Sequence, residues 1–246
     1  KELSEPYRPG KLREMSFANI IAMVKEYRSL YGFYSDDLIG DYKRTIEFLQ
    51  KEQREVIEQQ FSSFGNVLYS ELHDFLNHGH EWIAAYDESL ASVHGLDFTD
   101  LICGVHRLFQ DPVVRERWRS RYSYISVDEM QDTGVLEYKV LEMLWKDNHV
   151  LLCGDYFQTI YEWRGSDPFR LLKQFDADFK PLKIIFYENY RSNWTLFTMA
   201  FKTLQNMFPD LVGSIYTELP RANSESKGKP VLIKGCKNSY LEGRYI

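Results

Sequence analysis

The feature of this sequence that most constrains its fold is a change in hydrophobic pattern near Leu96. From Phe17 to about Leu90, apolar residues recur at the three- and four-residue spacing of amphipathic helices. After Leu96, short β-rich runs alternate with helical patterns, and this alternation is typical of a parallel sheet with right-handed crossovers. The sequence therefore predicts an α/β protein with an all-helical unit on its N-terminal side.

The α/β part is predicted to contain three strands and four helices. The strands span residues 124–127, 150–153 and 182–187, and the helices span residues 98–109, 135–145, 168–175 and 196–208. Ser192 or Asn193 is a suitable N-cap for the last helix. Beyond Pro209, a stretch rich in Gly, Ser and Pro predicts a linker, and an apolar run at 231–233 predicts the first strand of a further domain.

Composition and charge exclude several classes of protein. The three cysteines lie far apart and form no Cys-x-x-Cys pair, which argues against a disulfide framework or a thiolate zinc site and predicts a reducing, cytoplasmic location. No run approaches the roughly 18 apolar residues that span a bilayer, so no membrane partner is expected. The net charge is −6, so any nucleic-acid binding must come from a local patch and aromatic stacking.

Two predicted strands end in acidic steps. Asp128 and Glu129 follow the first strand, and Asp155 follows the second. The carboxyl ends of parallel strands are where such sheets bind ligands. In a nucleoside triphosphatase, the first carboxylate of such a pair holds Mg²⁺ and the second orients and deprotonates the attacking water. In most proteins an isolated Asp-Glu pair is explained by solvated turn carboxylates, so the catalytic interpretation depends on the sequence that follows.

Three downstream motifs carry a family resemblance. VDEMQDT at 127–133, GDYFQTIYEWRGSDP beginning 26 residues after Asp128, and ENYRS at 188–192 resemble motifs II, III and IV of UvrD/Rep/PcrA-type superfamily 1 DNA helicases. DFTDL at 97–101 is similar to the segment with which that family re-enters its first motor domain after a helical insertion.

The resemblance covers residues 96–208 and implies a domain organisation. Residues 1–95 would be a helical 1B-like domain. Residues 96–209 would be the C-terminal half of a RecA-like motor domain, 1A, without its P-loop strand. Residues 210–246 would be a linker and the start of domain 2A.

The resemblance also implies ATP and Mg²⁺ as cofactors and a role for each matching residue. Asp128 would coordinate Mg²⁺, and Glu129 would be the general base. Gln158 would sense the γ-phosphate, Arg191 would lie against it as an arginine finger, and Tyr190 would stack on the adenine.

Motif III would join the nucleotide site to the DNA site. Tyr161, Trp163 and Arg164 would line the single-strand channel, where rings stack on bases. Trp163 lies five residues after Gln158, so one short segment would couple the state of the bound nucleotide to the affinity for single-stranded DNA. Taken alone, the two aromatic residues would be assigned to a core, and Arg191 to a surface ion pair.

The sequence departs from the family at motif I. A P-loop needs Gly-x₄-Gly-Lys-Ser/Thr, and the only Gly-Lys pairs, at 10–11 and 228–229, are followed by Leu12 and Pro230. We therefore interpret the chain as the middle of a helicase, cut before Lys1 and after Ile246, and expect it to be inactive by itself.

The parent protein is predicted to be an ATP-dependent 3′-to-5′ DNA helicase or translocase in repair, recombination or defence. Its partners would be single-stranded DNA or a single-strand/duplex junction, together with repair, recombination or nuclease proteins. One alternative is the helicase subunit of a helicase-nuclease. The other is a non-catalytic DNA-binding or regulatory module that has lost its P-loop.

Overall fold

A computed structural model of the chain describes residues 9–54, 57, 69–145, 148–159, 168–222 and 228–229. The chain divides into two compact units, Lys1–Phe175 and Asp176–Ile246. The described residues form a mixed structure of helices and small parallel sheets, which confirms the α/β class in its coarse form.

In the described residues, the first unit begins with helices. Among them are α1 (Pro9–Leu30), α2 (Leu38–Glu52), α3 (Tyr69–Ser92), α4 (Phe98–Leu108) and α5 (Pro112–Arg119). The first three share a core that includes Val24, Tyr42, Leu49 and Phe75. Tyr42 and Leu49 lie seven residues apart on α2 and are both fully buried, as the helical spacing of the apolar residues predicts.

A pair of parallel strands follows, flanked by helices. The elements are β1 (Tyr124–Val127), α6 (Val135–Leu144), β2 (His149–Leu152) and α7 (Pro168–Phe179). β1 has its predicted bounds, and β2 begins and ends one residue earlier than predicted. Alternate strand residues, among them Ile125 and Val150, pack against a second core around Tyr138 and Trp145. The period of two expected for a strand therefore places one face of the pair on that core.

The second unit departs from prediction at residues 182–187, which form no strand. Within the described part of the chain, backbone pairing begins only where the Tyr187 carbonyl accepts a hydrogen bond from the Arg221 amide. The pairing continues as two short parallel strands, β3 (Glu188–Asn189) and β4 (Arg221–Ala222). Leu182 and Phe186 are 88% and 84% exposed. Among the residues that the structure describes, this apolar run has no hydrogen-bonded neighbour of the kind that a strand needs.

Two helices complete the described part of this unit. α8 (Trp194–Met207) begins two residues before the predicted start, and the Asn193 side chain caps it by accepting from the Leu196 amide at 3.0 Å. α9 (Pro209–Ile215) occupies the start of the segment interpreted as a linker, with Pro209 at its first turn and Val212 buried. The predicted strand at 231–233 lies outside the described residues.

A buried lysine links three helical elements of the first unit. Lys25 on α1 is 4% exposed, and its Nζ lies 2.5 to 2.9 Å from carboxylate oxygens of Asp87, Asp97 and Asp100. Asp97 and Asp100 also form the capping box of α4. Burial alone would lower the pKa of Lys25, but the hydrogen bonds to the three carboxylates outweigh it and raise the pKa, so the amine stays charged.

We expect Lys25→Met to lower the free energy of unfolding of the 246-residue chain by about 3–5 kcal/mol, because it leaves three partly buried carboxylates without their cation. Lys43→Met, on the exposed surface of α2, is the matched control and should change the free energy of unfolding by less than about 0.5 kcal/mol. Urea denaturation measures both. Equal losses in the two variants would mean that the cluster contributes no more than a surface ion pair.

Candidate functional site

The acidic turns after β1 and β2 lie side by side. In the parallel register Val127 is opposite Leu152, and the ladder continues beyond the strands. The Cys153 amide donates to the Val127 carbonyl at 2.8 Å, and the Met130 amide donates to the Cys153 carbonyl at 2.9 Å. These bonds bring motif II and the start of motif III together at the carboxyl edge of the strand pair, where the sequence predicted a site.

Asp128 and Glu129 are both exposed at this edge. Glu129 has φ 50° and ψ 41°, a left-handed conformation that costs a non-glycine residue about 1 kcal/mol or more and is found disproportionately at active sites. The Glu129 amide donates to Asp128 Oδ1 at 2.9 Å. A short 3₁₀ turn over Met130–Asp132 follows, and Met130, 1% exposed, anchors it in the core.

Gln131 joins the two turns, a role that the sequence analysis did not assign. Its Nε2 donates to Glu129 Oε2 at 2.7 Å, and its Oε1 accepts from the Asp155 amide at 3.0 Å. Gly154 permits this approach, because a Cβ there would lie 2.7 Å from Gln131 Oε1. The sequence could have drawn attention to Gln131 only as a polar residue within motif II. Its contact with Asp155, 24 positions away, cannot be seen in the sequence.

Asp155 organises the turn that carries Gln158. Its Oδ1 accepts from the Phe157 amide at 3.0 Å and so caps the 3₁₀ turn Tyr156–Gln158. Its Oδ2 accepts from Gln158 Nε2 at 2.8 Å. Asp128, Glu129 and Gln158 are therefore held on neighbouring turns, and all three side chains are exposed.

Tyr190 and Arg191 belong to the second unit and are described within it. The Arg191 and Ser192 amides both donate to Asn189 Oδ1, so residues 190–192 form a tight turn directly after β3. The Tyr190 ring is 75% exposed, and its hydroxyl donates to Glu188 at 2.7 Å, an interaction that raises the tyrosine pKa. Arg191 is exposed and forms no ion pair with the residues that the structure describes.

The predicted DNA-contacting residues Tyr161, Trp163 and Arg164 lie outside the described residues. Among those that are described, no group of three or more His, Cys, Asp or Glu side chains could hold a metal ion alone. A single exposed carboxylate such as Asp128 suits Mg²⁺, which binds proteins through one or two carboxylates together with substrate phosphates.

The fold and the site together define the general class of protein to which the chain belongs. Helices beside parallel strands, with polar side chains gathered where the strands end, are the arrangement of α/β ligand-binding domains. Comparison with known proteins then gives the family. The UvrD/REP helicase N-terminal domain matches residues 12–180, so the chain belongs to the UvrD/REP helicase family. The match confirms the resemblance and extends it into the helical region before Leu96.

Similar proteins include a DNA helicase II from Haemophilus influenzae, which is 33% identical over 171 residues, 68% of this chain and 23% of that protein. An ATP-dependent DNA helicase Rep from Buchnera aphidicola is 37% identical over 146 residues, 58% of this chain and 22% of that protein. An ATP-dependent DNA helicase PcrA from Staphylococcus aureus is 36% identical over 126 residues, 50% and 17% respectively. The chain thus spans less than a quarter of these relatives. No helix among the described residues has the length and apolarity to cross a membrane.

Proposed function

We propose that this chain is part of an ATP-dependent DNA helicase or translocase that couples hydrolysis of Mg·ATP to movement on single-stranded DNA. The observation that carries the proposal is the contact between the two acidic turns, which gathers Asp128, Glu129 and Gln158 at one sheet edge. The names of the Rep and PcrA relatives, which are ATP-dependent DNA helicases, support helicase activity that depends on ATP. The direction, 3′ to 5′, rests on the family resemblance.

The strand pair β1–β2 with its helices would form part of a RecA-like motor domain. Its carboxyl edge would face the phosphates, as ligands lie at that edge of parallel sheets. Asp128, whose carboxylate is exposed at this edge, would hold Mg²⁺. When bound, the ion would neutralise charge on the phosphate oxygens.

The remaining residues would act on the attacking water, the γ-phosphate and the adenine ring. Glu129 would orient the attacking water and accept its proton. Gln158 would exchange its bond with Asp155 for one with the γ-phosphate, and Arg191 would stabilise the charge of the transition state. The exposed ring of Tyr190 offers a face on which adenine would stack.

The test is phosphate release by the full-length protein with ATP and Mg²⁺, with and without single-stranded DNA. We propose strong stimulation by DNA, unwinding of a 3′-tailed duplex, and no unwinding of a 5′-tailed one. The 246-residue chain alone, without Gly-x₄-Gly-Lys-Ser/Thr, should release no phosphate because the β- and γ-phosphates lose their main donors. Strand binding without hydrolysis by the full-length protein would instead indicate a regulatory module.

Trp163 tests the DNA side of the proposal. In the full-length protein, Trp163→Ala should weaken single-strand binding by roughly 1–3 kcal/mol, because one base loses its stacking partner. Fluorescence anisotropy with a labelled oligonucleotide measures the change. Trp194→Ala, which removes a half-exposed indole on α8, is the control and should leave the affinity within about twofold. Unchanged affinity with a large fall in melting temperature would place Trp163 in the core.

A further inference from the structure

Gln131 is a buried amide between two exposed functional turns. Its side chain is almost inaccessible, at 2% exposure, whereas Glu129 and Gln158 on either side of it are exposed. A buried polar group of this kind is costly unless its hydrogen-bonding groups are satisfied. Here one donor and the acceptor are both used, on Glu129 and on Asp155 respectively.

The two partners fix the orientation of this amide. The Glu129 carboxylate can only accept and the Asp155 backbone amide can only donate, so the NH₂ of Gln131 must face Glu129 and its oxygen must face Asp155. A carboxylate in place of the amide would keep the bond to Asp155 but lose the donor to Glu129 and repel it. The site therefore requires a side chain with one donor and one acceptor.

The bonds continue from Gln131 to the proposed phosphate sensor. The Asp155 residue that donates to Gln131 through its amide accepts from Gln158 through its carboxylate. Glu129 and Gln158 are thus connected through Gln131 and Asp155, with every link between 2.7 and 3.0 Å. Movement of Gln158 away from Asp155 would alter the turn that contains Asp155. That change would reach Gln131, which is bonded to Asp155, and then Glu129, which is bonded to Gln131.

We infer that Gln131 is a positioning residue, which holds the Glu129 carboxylate in register with the turn that carries Gln158. The inference rests on the proposed function, because it takes Glu129 as the base and Gln158 as the phosphate sensor. A catalytic base that is misplaced by about 1 Å can lose on the order of a hundredfold in rate. Loss of the Gln131 contact should therefore reduce turnover and leave ligand binding nearly unchanged.

The experiment uses Gln131→Glu in the full-length protein. We expect DNA-stimulated kcat to fall at least about tenfold, with the affinities for ATP and single-stranded DNA within about threefold of wild type. Gln50→Glu makes the same chemical change on the exposed surface of α2 and should leave kcat unaltered. If kcat of Gln131→Glu stays within about twofold of wild type, the inference is wrong.

A second variant covers the case in which Gln131→Glu does not fold. Gly154→Ala puts a methyl group 2.7 Å from Gln131 Oε1 and should displace the amide without changing it. Gly104→Ala on α4, where an added Cβ meets nothing within 4 Å, is its control. We expect Gly154→Ala to lower kcat at least about fivefold and Gly104→Ala to leave it unchanged. Equal kcat in the two variants would overturn the inference.

A double-mutant cycle separates positioning from a general structural role. If Gln131 acts through Glu129, Gln131→Glu should cost little further turnover in a Glu129→Asp background, where the carboxylate is already displaced. Multiplicative losses would contradict the inference even though the proposed function stands. Absence of DNA-stimulated hydrolysis in the wild-type protein would instead reject the proposed function, and the inference with it.

Discussion

Replacing Glu129 by Gln in the full-length protein should lower the DNA-stimulated kcat by about 10²–10⁴, the range that a positioned general base contributes. The amide that replaces the carboxylate cannot take the proton of the attacking water. Its oxygen can still accept from Gln131, so the turn and the affinity for ATP should be preserved. Phosphate-release assays at saturating ATP and DNA give kcat, and equilibrium binding of a nucleotide analogue gives affinity.

The matched control is Glu47→Gln, which makes the same chemical change at an exposed position on α2. Its kcat should equal that of the wild-type protein. If Glu129→Gln also retains kcat within about threefold, Glu129 is a solvated turn carboxylate and the assignment of the base fails. A fall in kcat accompanied by loss of nucleotide binding would point to a damaged turn, which the left-handed backbone at Glu129 makes a necessary check.

Arg191→Ala in the full-length protein should reduce DNA-stimulated kcat at least a hundredfold while DNA affinity is kept. Arginines that meet the phosphoryl group as its charge redistributes are worth about 10³–10⁵ in rate. Arg191→Lys should also be poor, because an ammonium group lacks the planar fork that spans two phosphate oxygens. The same kinetic assay measures both variants, with single-strand affinity determined in parallel.

Arg117→Ala, which removes an exposed arginine from α5, controls for the loss of one positive charge from the surface. It should leave kcat unchanged. Turnover of Arg191→Ala within a few-fold of wild type would mean that Arg191 is an ordinary surface residue. The interpretation of ENYRS as motif IV would then be wrong at its arginine.

Local pattern predicted much of the first unit. The strands β1 and β2 and the helix between them were found because alternating and helical apolar patterns reflect which residues face a core. In the second unit, the N-cap of α8 was narrowed to Ser192 or Asn193, since capping depends on residues within one turn, and the structure has Asn193.

Features that depend on distant partners could not be predicted in this way. The run at 182–187 is as apolar as β1, but a strand forms only where a neighbour pairs with it. The bridge made by Gln131 likewise depends on the approach of a turn 24 residues away. Helix α9 was missed for a local reason, because Gly213 and Ser214 concealed the helical spacing of Leu211, Val212 and Ile215.

The Lys25 cluster has a mechanical consequence. It fastens α1 to the last part of α3 and to the capping box at the start of α4, so the stretch of chain between α3 and α4 is clamped at both ends. Movement of the first three helices would therefore be passed on to the start of α4 through the Lys25 ion pairs. In a motor of the proposed kind, α1, α3 and the start of α4 would therefore move together as one rigid piece.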